Sequence, residues 1–290
     1  MKQPNIIATI LTLTLLITSC SKDSGSNNDG PMHEGTEILK DPISKKANGS
    51  FRIMTYNVGA IRKFTNADFT KQDNVKLLAE IIREADADAV CFQELDSCTR
   101  RNDYFQLKSL VEAIDSKWQY HYAPAIEYQD GKYGSGIAAK RSGAHSYSIA
   151  IPTIPGSEDR VVAILEYDDY VIASTHLNGS QPDQVKIIND EIRKRYADSD
   201  KPVFLGGDMN AQPHHEMMLE FKKEWVILSS TGRTTVQDRI ACIDYILQFK
   251  NKAKIVKVTG TQVITRALAG DVCIASDHYA VYADVRLLGK

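Results

Sequence analysis

Three observations predict an α/β fold in which two β-sheets pack together with helices on their outer faces. Apolar segments of strand length, bounded by turn residues, outnumber the segments with helical spacing. Two of those segments, VVAILEY and YVIASTHL, are joined only at Asp168-Asp169, which requires antiparallel pairing and fits an all-parallel doubly wound sheet less well. No internal repeat or second composition break interrupts the roughly 240 residues from Ser50 onward, enough for one large domain with its own core.

Taken in order, FRIMTYNVG (51–59) reads as the opening strand. NVKLLAEIIREAD (74–86) places Val75, Leu78, Ala79 and Ile82 on one helical face. ADAVCFQEL (87–95) is a buried strand, and YFQLKSLVEAID (104–115) a second amphipathic helix. WQYHYAPA, GSGIAAK, SYSIAIP and the hairpin pair form a strand-rich middle. Ser180-Gln-Pro-Asp183 reads as a helix start, with Ser180 as cap and Pro182 in the first turn, and that helix runs to about Ala197. A buried strand over 202–205 leads into GGDMNAQP, followed by a helix over 214–224. WVILSS, CIDYILQF, AKIVKVTG and HYAVYADVRL close the chain as strands.

The N-terminus reads separately. Residues 1–20, MKQPNIIATILTLTLLITSC, combine Lys2, a short apolar run and a cleavage box ending on cysteine, and resemble a bacterial lipoprotein signal with Cys20 as the lipidated residue. Residues 21–49 are a polar, flexible tether, and 50–290 the domain. The expectation is an exported monomer anchored through its lipid to a bacterial membrane, the outer membrane in first place, facing the periplasm or the cell surface. A net charge of −2 excludes a strong bulk attraction for polyanions but leaves room for a local basic rim, for which Arg62, Lys63, Arg100, Arg101, Lys132 and Arg233 are the candidates. Cys91, Cys98, Cys242 and Cys273 show no zinc-ligand spacing; Cys91 reads as a buried thiol, and disulfide pairing stays open.

Chemistry gathers at strand ends. TYN ends on Asn57, QE on Glu94, THLN on His176 and Asn178, and GGDMN on Asp208 and Asn210. Strict alternation would put Asp208 and Asn210 on one side of an extended chain, with Met209 on the other, while the two glycines let the backbone pass close beside a phosphate. Asp244 lies inside the apolar run CIDYIL, where an unpaired carboxylate costs several kcal/mol, so it needs a partner; His278, in Ser276-Asp277-His278, is the natural one. Carboxylates, imidazoles and amides without thiolates favour a hard divalent cation, Mg²⁺ or alternatively Mn²⁺. The set suits attack of water on a phosphate ester.

TYN, QE, THLN, GDMNAQP, IDY and SDH, in this order over residues 51–287, resemble the endonuclease/exonuclease/phosphatase superfamily, whose fold is the DNase I-like four-layer α/β sandwich of two mixed sheets flanked by helices. The resemblance implies roles. Glu94 would be the main metal carboxylate, with Asn57 beside it and Asp277 as a further ligand. Asp208 would activate water, Asn210 would hold phosphate and water, and His278, polarised by Asp244, would contact the scissile phosphate. His176 would serve the phosphate or leaving-group side with Asn178, and Arg160 and Tyr133 would support the substrate. Two features depart from the pattern: Gly59 replaces an acid, putting a second metal in doubt, and Lys132-Tyr133-Gly134-Ser135 lacks a glutamate to support the histidine. A phosphodiesterase of nuclease type is the leading expectation. A phosphatase or phospholipase C-type enzyme on phosphorylated sugars or lipid head groups is the alternative, and a non-catalytic surface-binding lipoprotein is the competing class.

Overall fold

The structure is a computed structural model that describes residues 42–62, 71–152, 157–237 and 241–287. The signal, Cys20, the tether up to residue 41 and Lys63 lie outside the described residues. The first half of the domain runs β1 (Phe51–Asn57), α1 (Lys71–Glu84), β2 (Ala89–Ser97), α2 (Gln106–Asp115), β3 (Gln119–Tyr128), β4 (Gly131–Ala139) and β5 (His145–Ile151). It continues with β6 (Arg160–Glu166), β7 (Val171–His176), α3 (Pro182–Tyr196), β8 (Val203–Asp208) and α4 (Glu216–Glu224). The chain closes with β9 (Trp225–Ile227), β10 (Asp244–Phe249), β11 (Lys257–Val263), the short α5 (Val272–Ala275) and β12 (Val281–Arg286).

Two six-stranded sheets result, ordered β11-β12-β1-β2-β4-β3 and β5-β6-β7-β8-β10-β9. Each is mixed: β1 and β2 pair in parallel across α1, and β7 and β8 in parallel across α3, while the β6–β7 hairpin is antiparallel as expected. Strand alternation sorts the side chains into layers. Met54, Tyr56, Val90 and Phe92 face α1 and α2 on one outer side, and Val171, Ala173, Val203 and Leu205 face α3 and α4 on the other. Ile53, Ala89, Cys91, Ile172, Phe204 and Ile246 meet between the sheets. This is the four-layer α/β sandwich.

Local details depart from the sequence reading. Gln181, not Ser180, is the N-cap of α3, and its side chain makes no capping bond; Pro182 in the first turn suffices. Residues 42–49 pack on the domain rather than belonging to the tether: Ile43 is buried in the α1 and α2 core, and the Ser44 carbonyl accepts from Arg52. β8 continues through both glycines to Asp208. Sheet packing already requires both glycines, since a Cβ at Gly206 would lie 2.8 Å from Cys91 Sγ and one at Gly207 2.3 Å from the Thr175 carbonyl oxygen. The four cysteines in the described residues are free thiols, with Cys91 and Cys242 buried. Among the described residues no helix is long and apolar enough to cross a membrane.

Candidate active site

The site continues the inter-sheet core by one step at one end of the sandwich. Period-two alternation from Ile53 through Thr55 reaches Asn57 on β1, and from Ile172 through Ser174 it reaches His176 on β7. From Phe204 through Gly206 it reaches Asp208 on β8, and Ile246 leads back to Asp244 on β10. Register places Asp208 opposite both His176 and Asp244. Four polar side chains therefore end up where four apolar ones would otherwise have closed the core.

Asp208 is 1% exposed and stands at the centre. Its Oδ1 accepts the Asn210 backbone N–H at 2.8 Å and its Oδ2 accepts the Asn57 amide at 3.0 Å. The Nε2 atoms of His176 and His278 flank Oδ2 at 3.6 and 3.7 Å, beyond hydrogen-bond range. Burial, reinforced by the Asp244 charge, pushes the Asp208 carboxyl up to about 7 against the opposing pull of His278, Asn210 and Asn57. The partner expected for Asp244 is present: its Oδ2 lies 2.9 Å from His278 Nδ1. Burial pulls the His278 imidazole down, but Asp244, Asp208 and Asp277 outweigh it and lift it to about 10, so His278 is an imidazolium at neutral pH.

His176 is the opposite case. Burial, followed by the positive charges of Arg160 and His278, holds it well below the ordinary histidine range, so it is neutral. Its Nε2 takes the Asn210 amide at 2.9 Å, and the same amide nitrogen donates to the Leu177 carbonyl, which fixes the amide orientation. The His176 proton therefore sits on Nδ1, which is buried and has no partner. Asn210 reaches this position through a turn with φ 48°, not by the alternation expected of an extended chain.

On the neighbouring sheet, Glu94 has φ 57° inside a bulge between Phe92 and Leu95, which turns its carboxylate toward the Asn57 amide at 3.1 Å. The Asn57 oxygen accepts the Gly59 N–H, so its nitrogen bridges Glu94 and Asp208. Asp277 is half-buried next to His278 and takes a long 3.5 Å contact from the Ser276 hydroxyl. Arg160 donates through Nε to Asn178 Oδ1 at 2.7 Å and pairs with Glu158 at 3.3 Å. Tyr133, Ser135, Arg160 and His176 line one narrow cleft. Burial and the Glu94 charge push the Tyr133 hydroxyl strongly upward.

Three positioning residues escaped the sequence reading. Gln93 is fully buried, donating to Ser174 Oγ at 3.1 Å and accepting from Thr55 Oγ1 at 3.2 Å, which ties both sheets together beneath Glu94. The Ser276 hydroxyl donates to the Asn57 carbonyl at 2.7 Å and receives the His278 N–H. Thr234 Oγ1 receives the Ile243 and Asp244 N–H groups. A glutamine at an inward strand position, preceding the site acid, was the available signal for the first; nothing in the sequence marks Thr234.

The donor set fits a divalent cation. Asp208 and Asp244, whose ligand atoms lie within 4.8 Å of each other beside the protonated His278, supply the oxygen donors, with Glu94 reached through Asn57. Asp244 Oδ1 is a buried acceptor without a partner, and two buried carboxylates share one imidazolium. Oxygen donors with surplus negative charge are what a hard cation neutralises.

A profile described as Endonuclease/Exonuclease/phosphatase family matches residues 54–278. The chain belongs to that family, whose name covers hydrolases of phosphate esters. The match starts in β1 and ends on His278, so it encloses every site residue named above. No curated protein sequence matches the chain. Among solved structures, a family member from Bacteroides vulgatus superposes with TM-score 0.63 at 16% identity, covering 82% of this chain and 99% of that one. The mannosyl-6-phosphatase Bt3783 of Bacteroides thetaiotaomicron gives 0.63 at 14% identity, over 81% and 99% of the two chains. The human Nocturnin catalytic domain, solved with a bound sulfate, gives 0.62 at 17%, over 83% and 96%. At these identities the likeness establishes the shared fold.

Proposed function

We propose that this family member hydrolyses a phosphate ester by direct attack of water at phosphorus, supported by a divalent cation, Mg²⁺ in first place and Mn²⁺ as the alternative. The observation that carries the reading is the buried Asp208 carboxylate, held by the Asn57 amide and the Asn210 backbone N–H and flanked at 3.6 and 3.7 Å by the Nε2 atoms of His176 and His278. A carboxyl lifted to about 7 is a competent proton acceptor at neutral pH, which a solvated aspartate is not. Asp208 orients the water and takes its proton. The Asn210 amide nitrogen is committed to His176 and the Leu177 carbonyl, which leaves its oxygen to accept from the attacking water. His278, kept protonated by Asp244, places positive charge where negative charge develops on the phosphoryl oxygens. His176, kept neutral, borders the crevice that Arg160 and Tyr133 also line, on the expected leaving-group side.

Glu94 would hold the cation, with Asp277 beside it and Asn57 keeping the carboxylates apart. Bound there, the cation supplies Lewis-acid stabilisation of charge on the phosphoryl group. The N-terminal 20 residues support export and lipidation at Cys20, and the tether a monomeric domain held off a membrane surface; radiolabelled palmitate incorporation lost in Cys20→Ala tests that assignment. Hydrolysis is tested with bis-p-nitrophenyl phosphate and p-nitrophenyl phosphate in Mg²⁺ or Mn²⁺. Turnover abolished by EDTA and restored by either cation is expected; a cation-independent rate would remove the metal from the reading.

A further inference from the structure

The chain leaves β1 through backbone that L-residues avoid. Gly59, Ala60 and Ile61 follow one another at φ 52°, 55° and 51°, and all three are buried. Left-handed backbone crowds a Cβ, and a β-branched residue such as Ile61 tolerates it least. The bonds within the turn do not account for it. The Ile61 N–H meets the Val58 carbonyl at 2.8 Å and the Arg62 N–H the Gly59 carbonyl at 3.3 Å, a pattern that a right-handed turn makes at lower cost. Strain of this kind persists only where the surroundings impose it.

Here the surroundings include two amide side chains. The Ala60 carbonyl, in the middle of the turn, receives Gln106 Nε2 at 2.7 Å and Asn102 Nδ2 at 3.1 Å. Both donors are at most 1% exposed. Each is itself tied to the segment that carries Glu94. Gln106 Oε1 accepts the Asp96 N–H at 2.7 Å, and Asn102 Nδ2 donates to Asp96 Oδ2 at 2.5 Å. Asp96 is buried as well, with Arg101 on both of its oxygens at 2.7 and 3.0 Å and the Thr99 hydroxyl on one at 3.2 Å.

The cluster closes a circuit that begins and ends on Glu94. Asp96, two residues beyond Glu94, holds Gln106 and Asn102, and these hold the Ala60 carbonyl. The turn then aims the Gly59 N–H at Asn57 Oδ1, 3.0 Å away, and Asn57 Nδ2 returns to Glu94 at 3.1 Å and reaches Asp208 at 3.0 Å. The Gly59 bond decides which end of the Asn57 amide faces the acids. With that N–H on Oδ1, the nitrogen lies between Glu94 and Asp208 and donates to both. Turned over, the amide would set its oxygen against two carboxylates and lose its hold on their spacing.

We propose that Asn102 and Gln106 are positioning residues for the cation site: by gripping the Ala60 carbonyl they hold the left-handed turn, and through it the Asn57 amide that spaces Glu94 from Asp208. This rests on the hydrolytic reading, in which Glu94 holds the cation and Asp208 the water. A cluster that served stability alone would cost folded protein when broken, and not cation affinity.

The test titrates the full chain with Mn²⁺, followed by electron paramagnetic resonance of the free ion, and separately measures turnover of bis-p-nitrophenyl phosphate. Asn102→Ala is the milder variant, because Ala60 keeps Gln106 and Asp96 keeps Arg101 and Thr99. Its Mn²⁺ dissociation constant should rise about tenfold, the low end for losing an outer-shell partner. KM for the ester at saturating Mn²⁺ should stay within about twofold, since no contact with the substrate is removed. Gln106→Leu should weaken Mn²⁺ further. Ala60→Gly removes the Cβ that makes left-handed backbone costly. Combined with Asn102→Ala, it should restore most of the Mn²⁺ affinity although it restores no hydrogen bond. Wild-type Mn²⁺ affinity in both Asn102→Ala and Gln106→Leu, with only the urea midpoint lowered, overturns the inference and spares the hydrolytic reading. A loss of affinity that Ala60→Gly leaves uncorrected overturns it too, because the turn would not be the link. A wild-type chain that binds Mn²⁺ but cleaves no ester sinks the hydrolytic reading, while the titration still judges the clamp. A wild-type chain that binds no Mn²⁺ sinks both.

Discussion

One strand, β1, carries a buried charged cluster at each end, and the two are built on opposite principles. At its start, Arg52 is 1% exposed, and all its side-chain nitrogens have partners: Nε and Nη2 meet Asp284 at 2.6 and 2.7 Å, Nη1 meets the Ala85 carbonyl, Nη2 also meets Ser44, and the guanidinium lies over Tyr282. Charge there is balanced one to one. At its end, Asn57 leads into Asp208, Asp244 and Glu94, where acids outnumber the imidazolium and Asp244 Oδ1 and His176 Nδ1 lack partners. A closed cluster holds the fold together, whereas an open one is held in place by the fold and kept available for a ligand.

Breaking each cluster should therefore damage different properties. Asp208→Asn is expected to have the largest effect, a loss of about 10⁴-fold in kcat, the upper range for removing a general base. Circular dichroism should stay near wild type, and the melting temperature should not fall, because Asn removes a buried carboxyl whose raised titration costs stability at neutral pH. Retention of more than a tenth of the activity would put the base elsewhere. Arg52→Ala should invert this pattern. It leaves Asp284 buried and unpaired, at about 3–5 kcal/mol of stability by urea unfolding, while kcat per folded molecule is unchanged.

The contrast between clusters was only half legible in the sequence. Asp244 declared itself because an acid in an apolar strand needs a partner, and His278 was within reach as that partner. Asp208, His176 and Asn57 followed from strand ends, where inward alternation is readable. The rest depends on backbone that departs from alternation. Glu94 faces Asn57 only because of a bulge with φ 57°, and Asn210 only because the chain turns at φ 48°. No one-dimensional pattern carries either event. The Arg52 cluster was missed because its partners come from residues 44, 85, 282 and 284, which the sheet order alone brings together.

Proton linkage sharpens the comparison next. His278 is raised from its ordinary 6.5 to about 10, so the stability it contributes is fully present below 6.5 and is lost as pH rises through about 10. Asp208 is raised from 3.8 to about 7, so the folded state holds a proton that the unfolded state has released, and stability falls as pH rises from 3.8 through about 7. The metal-free protein should therefore melt lower at pH 8 than at pH 6. A cation that neutralises the ionised acids should raise the melting temperature more at pH 8 than at pH 6. An equal rise at both pH values would mean that the cation does not use these carboxylates.

The smallest expected effect concerns Gln93, where the two principles meet. Its side chain is satisfied on both sides, by Thr55 and Ser174, like a member of the closed cluster, yet the next residue is the strained Glu94. The Gln93 backbone carbonyl also receives the Val58 N–H, so the residue fixes the spacing between β1 and the bulge. Gln93→Leu takes the acceptor from the buried Thr55 hydroxyl and one partner from Ser174, whose hydroxyl keeps the Phe92 carbonyl, which costs about 1–3 kcal/mol. If Gln93 served stability alone, the folded fraction would fall and kcat per folded molecule would not. As a positioning residue for Glu94 it should also weaken the activating cation, raising the Mg²⁺ concentration for half-maximal rate about tenfold, in line with the cost of losing an outer-shell partner.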